Sequence, residues 1–369
     1  MNDHVPWRIT HLESSLGWGG QERRILAELT GFQRRGSFVS LWAPPDSRLA
    51  VHAAQAGIPV SPLLCGTGRM PSTIWRLSRW LRKHRIQILN PHSSRDSWIG
   101  CLAGTLAGTP LVVRSRHFEV PISSPLISRL AYKDLVHHLI TTSPAITNQL
   151  RSVFSLPESF VSTIPTGIDL ARFDNAGPRV QFDIPPSQEE RFLVGMIGIF
   201  RRAKGHSILL EAVRQLRLQG IRCECVFVGS GPMEDFVRRD AESKDLLQRV
   251  HFLGEREDIP EVMRSLDVLA MPSLHEGIPQ VGLQALACGT PLVGSDLGGI
   301  RVIIGQNERG WLAPAGDPVG LASALRDALS HRDESRRRSA LGRSYVEAEH
   351  GHERMLDRLE ELYRRQIQS

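Results

Sequence analysis

Glu276 and Gln284 stand eight positions apart in the stretch Ser273–Gly299, SLHEGIPQVGLQALACGTPLVGSDLGG. The stretch reads as a strand end, an acidic residue in a tight turn, a helix from about Gln280, a short strand and a Gly-Gly turn. That order holds one carboxylate and one side-chain amide over the C-terminal edge of a parallel sheet, where open α/β sheets bind their ligands. A carboxylate there can hold sugar hydroxyls, and the helix start behind it favours negative charge nearby. The same letters also fit an ordinary βαβ crossover with a solvated glutamate, so the rest of the chain has to decide.

Three other segments carry residues suited to the same chemistry. GIFRRAKGHSILLEA places Arg201, Arg202 and Lys204 between a strand and a helix. Fixed cations there can neutralise a diphosphate, and an arginine can grip it with two parallel hydrogen bonds; surface charge at a helix start is the plainer alternative. The turn at Gly17, Gly19 and Gly20 lets backbone N–H groups approach an anion, or is simply a turn. RSRHFEV offers Arg114, Arg116 and His117 after a strand, where a lone histidine is more often a structural hydrogen-bonder than a catalyst. HSSRDSW, with His92 and Asp96, opens a helix, so Ser93 or Ser94 either caps it or faces an acceptor.

These segments need two successive runs of βαβ units to position them. In the first, strands are expected at Arg8–Leu12, Phe38–Trp42, Ile86–Asn90, Leu111–Arg114, Leu139–Thr142 and from Val161. In the second they are expected in RFLVGMIGIF, CVFVGSG, RVHFLG, DVLAMPS, PLVGS and GWLAP. Strands alternating with helices imply a parallel, doubly wound sheet in each half. The expected organisation is an N-terminal domain over 1–178, a Pro- and Gly-rich linker over 179–190, a C-terminal domain over 191–348 and a terminal helix over 349–369. A length of 369 residues suits two or three domains.

Composition removes several classes. The chain is 41% hydrophobic and 23% charged, near globular averages, which argues against widespread disorder. No apolar run reaches the roughly 18 residues of a membrane span. The start, MNDHVPWRITHLE, lacks the pattern of a signal peptide. The five cysteines are scattered, and Cys223 and Cys225 alternate in an expected buried strand without zinc-ligand spacing, so all five read as core thiols in a reducing compartment. A net charge of +6 draws nucleic acid, anionic lipid or phosphorylated substrates. No nucleic-acid motif accompanies it, and no nucleic acid is expected as a partner. The helix near 72–85, with Trp75, Trp80, Arg76, Arg79, Arg82 and Lys83, suits an interfacial contact with anionic membrane and equally the crossover helix of a βαβ unit.

Taken together, the motifs resemble glycosyltransferase family 4, whose members are retaining, nucleotide-sugar-dependent enzymes of GT-B architecture. The 273–299 stretch is similar to the family's E-x7-E signature, with Glu276 intact and Gln284 in place of the second glutamate. Gly19, Gly20 and Glu22 match the N-terminal GG-x-E loop, and IPTGIDLARF resembles the segment that closes the first domain. Lys204 and Gly205 match the diphosphate motif, whereas Ile199 occupies its arginine position. FVGSGP, with Gly229 and Gly231, resembles the loop near the nucleotide, and Val302 stands where the family's Gly-Gly-x-x-Glu carries its glutamate.

The resemblance implies an α/β fold of two Rossmann-like doubly wound domains facing across a cleft, with the terminal helix crossing back to the N-terminal domain. It implies Glu276 and His117 at the donor sugar, and Lys204 with Arg201 or Arg202 at the diphosphate. Gly19, Gly20, Gly229, Gly231 and Gln284 would complete the nucleotide site. The donor would be a nucleotide-diphosphate sugar of UDP or GDP type, with no cofactor and no metal, since no Asp-x-Asp motif marks a diphosphate site. The acceptor would be a glycan or lipid-linked molecule, in bacterial surface polysaccharide or lipopolysaccharide synthesis, at the inner face of the cytoplasmic membrane or in the cytoplasm. A GT-B relative that epimerises or hydrolyses a nucleotide sugar, or a non-catalytic sugar-binding descendant, is the alternative.

Overall fold

The computed structural model describes residues 6–118, 122, 124–183 and 191–368. The first five residues of the chain and most of the expected linker, residues 184–190, therefore lie outside it. The chain divides into two compact units, one made of residues 1–167 with 352–369 and the other of residues 168–351.

In the first unit β1 (Arg8–Leu12), α1 (Gly20–Arg34), β2 (Phe38–Ala43), α2 (Arg48–Gln55) and β3 (Val60–Pro62) build one half of a sheet. Next come α3 (Met70–Lys83), β4 (Ile88–Pro91), α4 (Ser94–Ala107), β5 (Leu111–Arg116), α5 (Pro125–Arg129), β6 (His138–Thr141), α6 (Pro144–Phe154) and β7 (Val161–Thr163). All seven strands are parallel, in the order β3-β2-β1-β4-β5-β6-β7, with the order reversing between β1 and β4. Parallel strands are covered on both faces, which is why they read as apolar runs rather than as alternation. One face packs Ile25 and Leu29 of α1, and the other packs Leu77 and Leu81 of α3 with Ile99 of α4.

The helix expected near 72–85 is thus a crossover helix as observed. Leu77 and Leu81 are buried, Trp80 stacks on His84 at 4.4 Å between ring centroids, and Trp75 stays exposed beneath the Arg79 guanidinium.

The second unit contains β8 (Phe192–Ile197), α7 (His206–Leu218), β9 (Cys223–Val228), α8 (Glu234–Ser243), β10 (Val250–Phe252), α9 (Ile259–Ser265) and β11 (Val268–Met271). It continues through α10 (Gln280–Ala287), β12 (Leu292–Ser295), α11 (Gly298–Ile304), β13 (Trp311–Ala313), α12 (Pro318–Ser330) and α13 (Arg332–Glu349). Its six parallel strands run β10-β9-β8-β11-β12-β13, reversing between β8 and β11. Cys223 and Cys225 are buried in β9, and burial pushes the Cys223 thiol up to about 12.

Residues 168–178, placed by sequence in the first domain, join this second unit. The Ile168 N–H donates to the His350 carbonyl at 2.7 Å, and Ile168 and Phe173 sit in the second unit's core. Arg264 accounts for the rest, donating to the carbonyls of Asp174 and Pro178.

The last helix, α14 (His352–Gln368), packs in the first unit. Leu356, Leu359 and Tyr363 enter the core beside α1. Arg35 at the end of α1 reaches Glu353 and Asp357 at 2.7 Å each and Glu360 at 3.2 Å.

Candidate active site

In the second unit, the turn after β8 docks on the turn after β11. The Leu274 N–H donates to the Ala203 carbonyl at 2.8 Å. Gly205 makes this approach feasible: it sits at φ +77°, and a Cβ on it would lie 2.0 Å from the Pro272 carbonyl oxygen. Only glycine enters that conformation without cost. The docking brings Lys204 Nζ to 2.5 Å from Glu276 Oε2, which also accepts from Ser273 Oγ at 3.1 Å. Both side chains are partly exposed, at 26% and 17%, so a ligand can reach the pair.

Arg201 and Arg202 flank this pair, are exposed, and make no ion pair among the described residues. Gln284 lies in α10, half-buried, with no side-chain partner among the described residues. Gly229 and Gly231 have a packing reason of their own. A Cβ on Gly229 would meet the Gly198 carbonyl oxygen at 2.1 Å, and one on Gly231 would meet the Phe200 backbone at 2.7 Å.

In the first unit a pocket of about 200 Å³ opens at the ends of β4 and β5, lined among others by Ser15, Gln21, His92, Ser93, Arg116 and His117. Asp96 caps α4 by accepting from the backbone N–H groups of His92 and Ser93, at 3.2 and 3.0 Å. Ser93 at the N-cap turns its hydroxyl to Glu13 Oε1 at 2.6 Å, while Gln21 donates to both Glu13 and Ser93. Burial raises the Glu13 and Asp96 carboxyls above the usual range. Gly19 caps α1, and its N–H already donates to Glu22 Oε2 at 2.8 Å, so that amide serves the helix rather than an open anion site.

His117 is half-buried and joined to two other histidines. Its Nε2 lies 2.9 Å from His92 Nδ1, and His92 Nε2 lies 2.8 Å from His11 Nδ1. Burial holds all three imidazoles neutral, lowering His11 to about 3 and His92 and His117 well below the ordinary histidine value. The Arg24 charge adds to each depression. His11, Glu13 and Gln21 escaped the sequence reading. The one visible signal was a pair of polar letters, His11 and Glu13, on either side of Leu12 at the end of β1.

Two Rossmann-like domains in one chain, each with its polar cluster at the carboxyl edge of a parallel sheet, define the GT-B class. Residues 18–172 match the family model Glycosyltransferase Family 4, and residues 179–344 match Glycosyl transferases group 1. The chain belongs to these glycosyltransferases. EpsF of Bacillus subtilis is 37% identical over 223 residues, which span 56% of this chain and only 57% of that protein. The Escherichia coli UDP-Gal:alpha-D-GlcNAc-diphosphoundecaprenol alpha-1,3-galactosyltransferase is 28% identical over 262 residues, 68% of each chain. The crystal structure of Anabaena HepE in complex with UDP and glucose shares the fold with a TM-score of 0.80 and 19% identity, over 96% of this chain and 98% of that one.

Proposed function

We propose that the protein transfers a glycosyl unit, with retention of anomeric configuration, from a UDP-sugar to a hydroxyl of a glycan or lipid-linked acceptor. The observation that carries this is the Lys204–Glu276 pair at the carboxyl ends of β8 and β11, where the strand order reverses. In transfer the bond from the anomeric carbon to the β-phosphate oxygen breaks, a bond to the acceptor oxygen forms, and negative charge builds on the departing diphosphate. Lys204, with Arg201 or Arg202 beside it, meets that charge. Glu276, freed from Lys204 as the lysine turns to phosphate, accepts hydrogen bonds from the donor sugar. Gln284 holds the ribose hydroxyls through its amide oxygen. Gly229 and Gly231 keep the adjoining loop close to β8, and Gly20 and His117 serve the donor from the first unit, while the Gly19 N–H stays on Glu22 Oε2.

UDP is favoured over GDP because HepE is seen with UDP and the E. coli relative uses UDP-Gal. That relative's diphosphoundecaprenol acceptor supports a lipid-linked acceptor and work at the inner membrane face, in surface-polysaccharide or lipopolysaccharide assembly. Trp75 and the arginines of α3 would meet anionic lipid there. No described helix is long and apolar enough to cross a membrane.

Thermal unfolding with saturating UDP, GDP or ADP tests the donor site. A ligand at a hundred times its Kd stabilises by about 2.7 kcal/mol, a shift of several degrees for a unit of this size. The expected result is a shift with UDP that disappears in Lys204→Ala, together with a loss of about 2.7–4 kcal/mol of transition-state stabilisation in turnover. A UDP shift that survives Lys204→Ala would remove Lys204 from the site, and no shift with any nucleotide would refute the reading.

A further inference from the structure

The three linked histidines, His11, His92 and His117, carry three ring protons between them and offer two hydrogen bonds. Nδ1 of His11 faces Nε2 of His92 at 2.8 Å, and Nδ1 of His92 faces Nε2 of His117 at 2.9 Å. The rings run edge to edge in a column, near-parallel at 13° and 30° with centroids 5.0 and 5.2 Å apart, so flipping any one of them replaces a bonded nitrogen by carbon and breaks the column. A neutral imidazole has one donor and one acceptor nitrogen. Both hydrogen bonds form only when all three rings carry the proton on the same atom, either all on Nδ1 or all on Nε2.

The buried end of the column separates the two states. His11 is fully buried, and its Nε2 has no partner among the described residues. With all protons on Nε2, an N–H would be orphaned there; with all on Nδ1, only a lone pair is left unused. Orphaned buried N–H groups are the rarer and costlier case. Glu28 adds to the bias, since its Oε2 lies 3.9 Å from His11 Nδ1 and favours a proton on that nitrogen. The open end follows from the buried one. His117 lines the pocket with Nε2 already taken by His92, so Nδ1 is its one nitrogen left for a ligand.

We infer that His11 and His92 are positioning residues that lock His117 in the Nδ1–H tautomer, so that this ring offers the pocket a hydrogen-bond donor and never an acceptor. His117 then binds an oxygen lone pair, such as that of a sugar hydroxyl, and takes no proton from it. The identity of that oxygen as the donor sugar's rests on the function proposed above; the tautomer does not.

A rival use of the same atoms is metal binding, because His11, Glu28 and His92 bring ligand atoms within 4.8 Å of one another. Two features oppose it. The Arg24 guanidinium sits on Glu28 at 2.6 Å, and the His11–His92 separation is that of a hydrogen bond, too short to admit an ion between the nitrogens.

The test is a long-range proton–nitrogen correlation spectrum of the full chain labelled with ¹⁵N-histidine, without ligand, near neutral pH. His117, assigned by its loss in His117→Gln, is expected with a protonated Nδ1 and a bare Nε2. Finding the proton on Nε2 overturns the inference, as does a stoichiometric metal whose chelation shifts these signals. His92→Phe keeps the ring column and removes both hydrogen bonds, and should return His117 to a mixture dominated by the Nε2–H form; an unchanged Nδ1–H form would also overturn it. The wild-type spectrum decides even if that variant fails to fold, and it decides independently of whether any nucleotide binds.

Discussion

Gly205 separates the geometry of the Lys204 turn from mere stability of the second unit. In Gly205→Ala the new residue must sit at φ +77°, and its Cβ would lie 2.0 Å from the Pro272 carbonyl oxygen, which belongs to backbone and cannot swing aside. Gly220→Ala is the matched control, because Gly220 sits at φ +80° with no atom within 4 Å of the added Cβ. The control therefore carries only the left-handed backbone cost of about 1–2 kcal/mol, a fall in melting temperature of roughly 2–8 °C for a unit of this size. Gly205→Ala carries the same cost plus overpacking of about 1–3 kcal/mol.

Relief of that overlap means lifting residues 201–205 off Pro272–Leu274, which breaks the Leu274–Ala203 hydrogen bond and moves Lys204 away from Glu276. Differential scanning fluorimetry with and without UDP reads both effects at once. The control should keep the full nucleotide-induced shift from a lower starting point, whereas Gly205→Ala should start lower still and lose most of that shift. If the two variants melt alike and bind UDP alike, the tether between the turns is not what places Lys204.

Other consequences can be checked alongside. Arg35→Ala should cost the first unit about 2–3 kcal/mol by chemical denaturation, below the 3–5 of a fully buried pair, because Glu353 and Asp357 are half-exposed and Glu360 keeps Arg364. Burial lowers His206 to about 4, so its neutral ring contributes stability that is complete above the unfolded value of 6.5 and is lost as pH falls toward 4. That group alone gives a slope of up to about 1.4 kcal/mol per pH unit, which His206→Gln should remove from the acid limb of the second unit's stability profile. Gln284→Glu should tighten UDP binding by about 1 kcal/mol in calorimetry, since a charged acceptor makes the stronger hydrogen bond to ribose hydroxyls; weaker binding would place the ribose elsewhere.

The sequence made the second unit's cluster legible because each part of it lies in one short turn beside one strand. Lys204 follows β8 and Glu276 follows β11, so a local pattern names both, and apolar runs mark strands buried on two faces. The first unit's cluster hid for the opposite reason. Ser93 finds Glu13 across eighty positions of chain, and His117 meets His11 only through His92, so no spacing rule links them. Gly229 and Gly231 show the converse: glycines read as a nucleotide loop also have backbone neighbours that exclude any side chain. The three-residue β3 passed unseen because a short edge strand leaves almost no pattern.

Topology explains why both clusters nevertheless fall in equivalent places. Where the strand order reverses, successive crossovers depart to opposite sides, and the crevice between the two strand ends stays uncovered by helix. In the first unit those strands are β1 and β4, followed by Glu13 and by His92 and Ser93. In the second they are β8 and β11, followed by Lys204 and by Ser273 and Glu276. Of the remaining strands, β5 also sends a polar residue to such a crevice, where His117 reaches His92 beyond β4. Asp296, just beyond β12, instead pairs with the neighbouring Arg301 on an exposed surface. Position relative to the reversal, more than residue type, separates a carboxylate that can meet a ligand from one that balances a nearby surface charge.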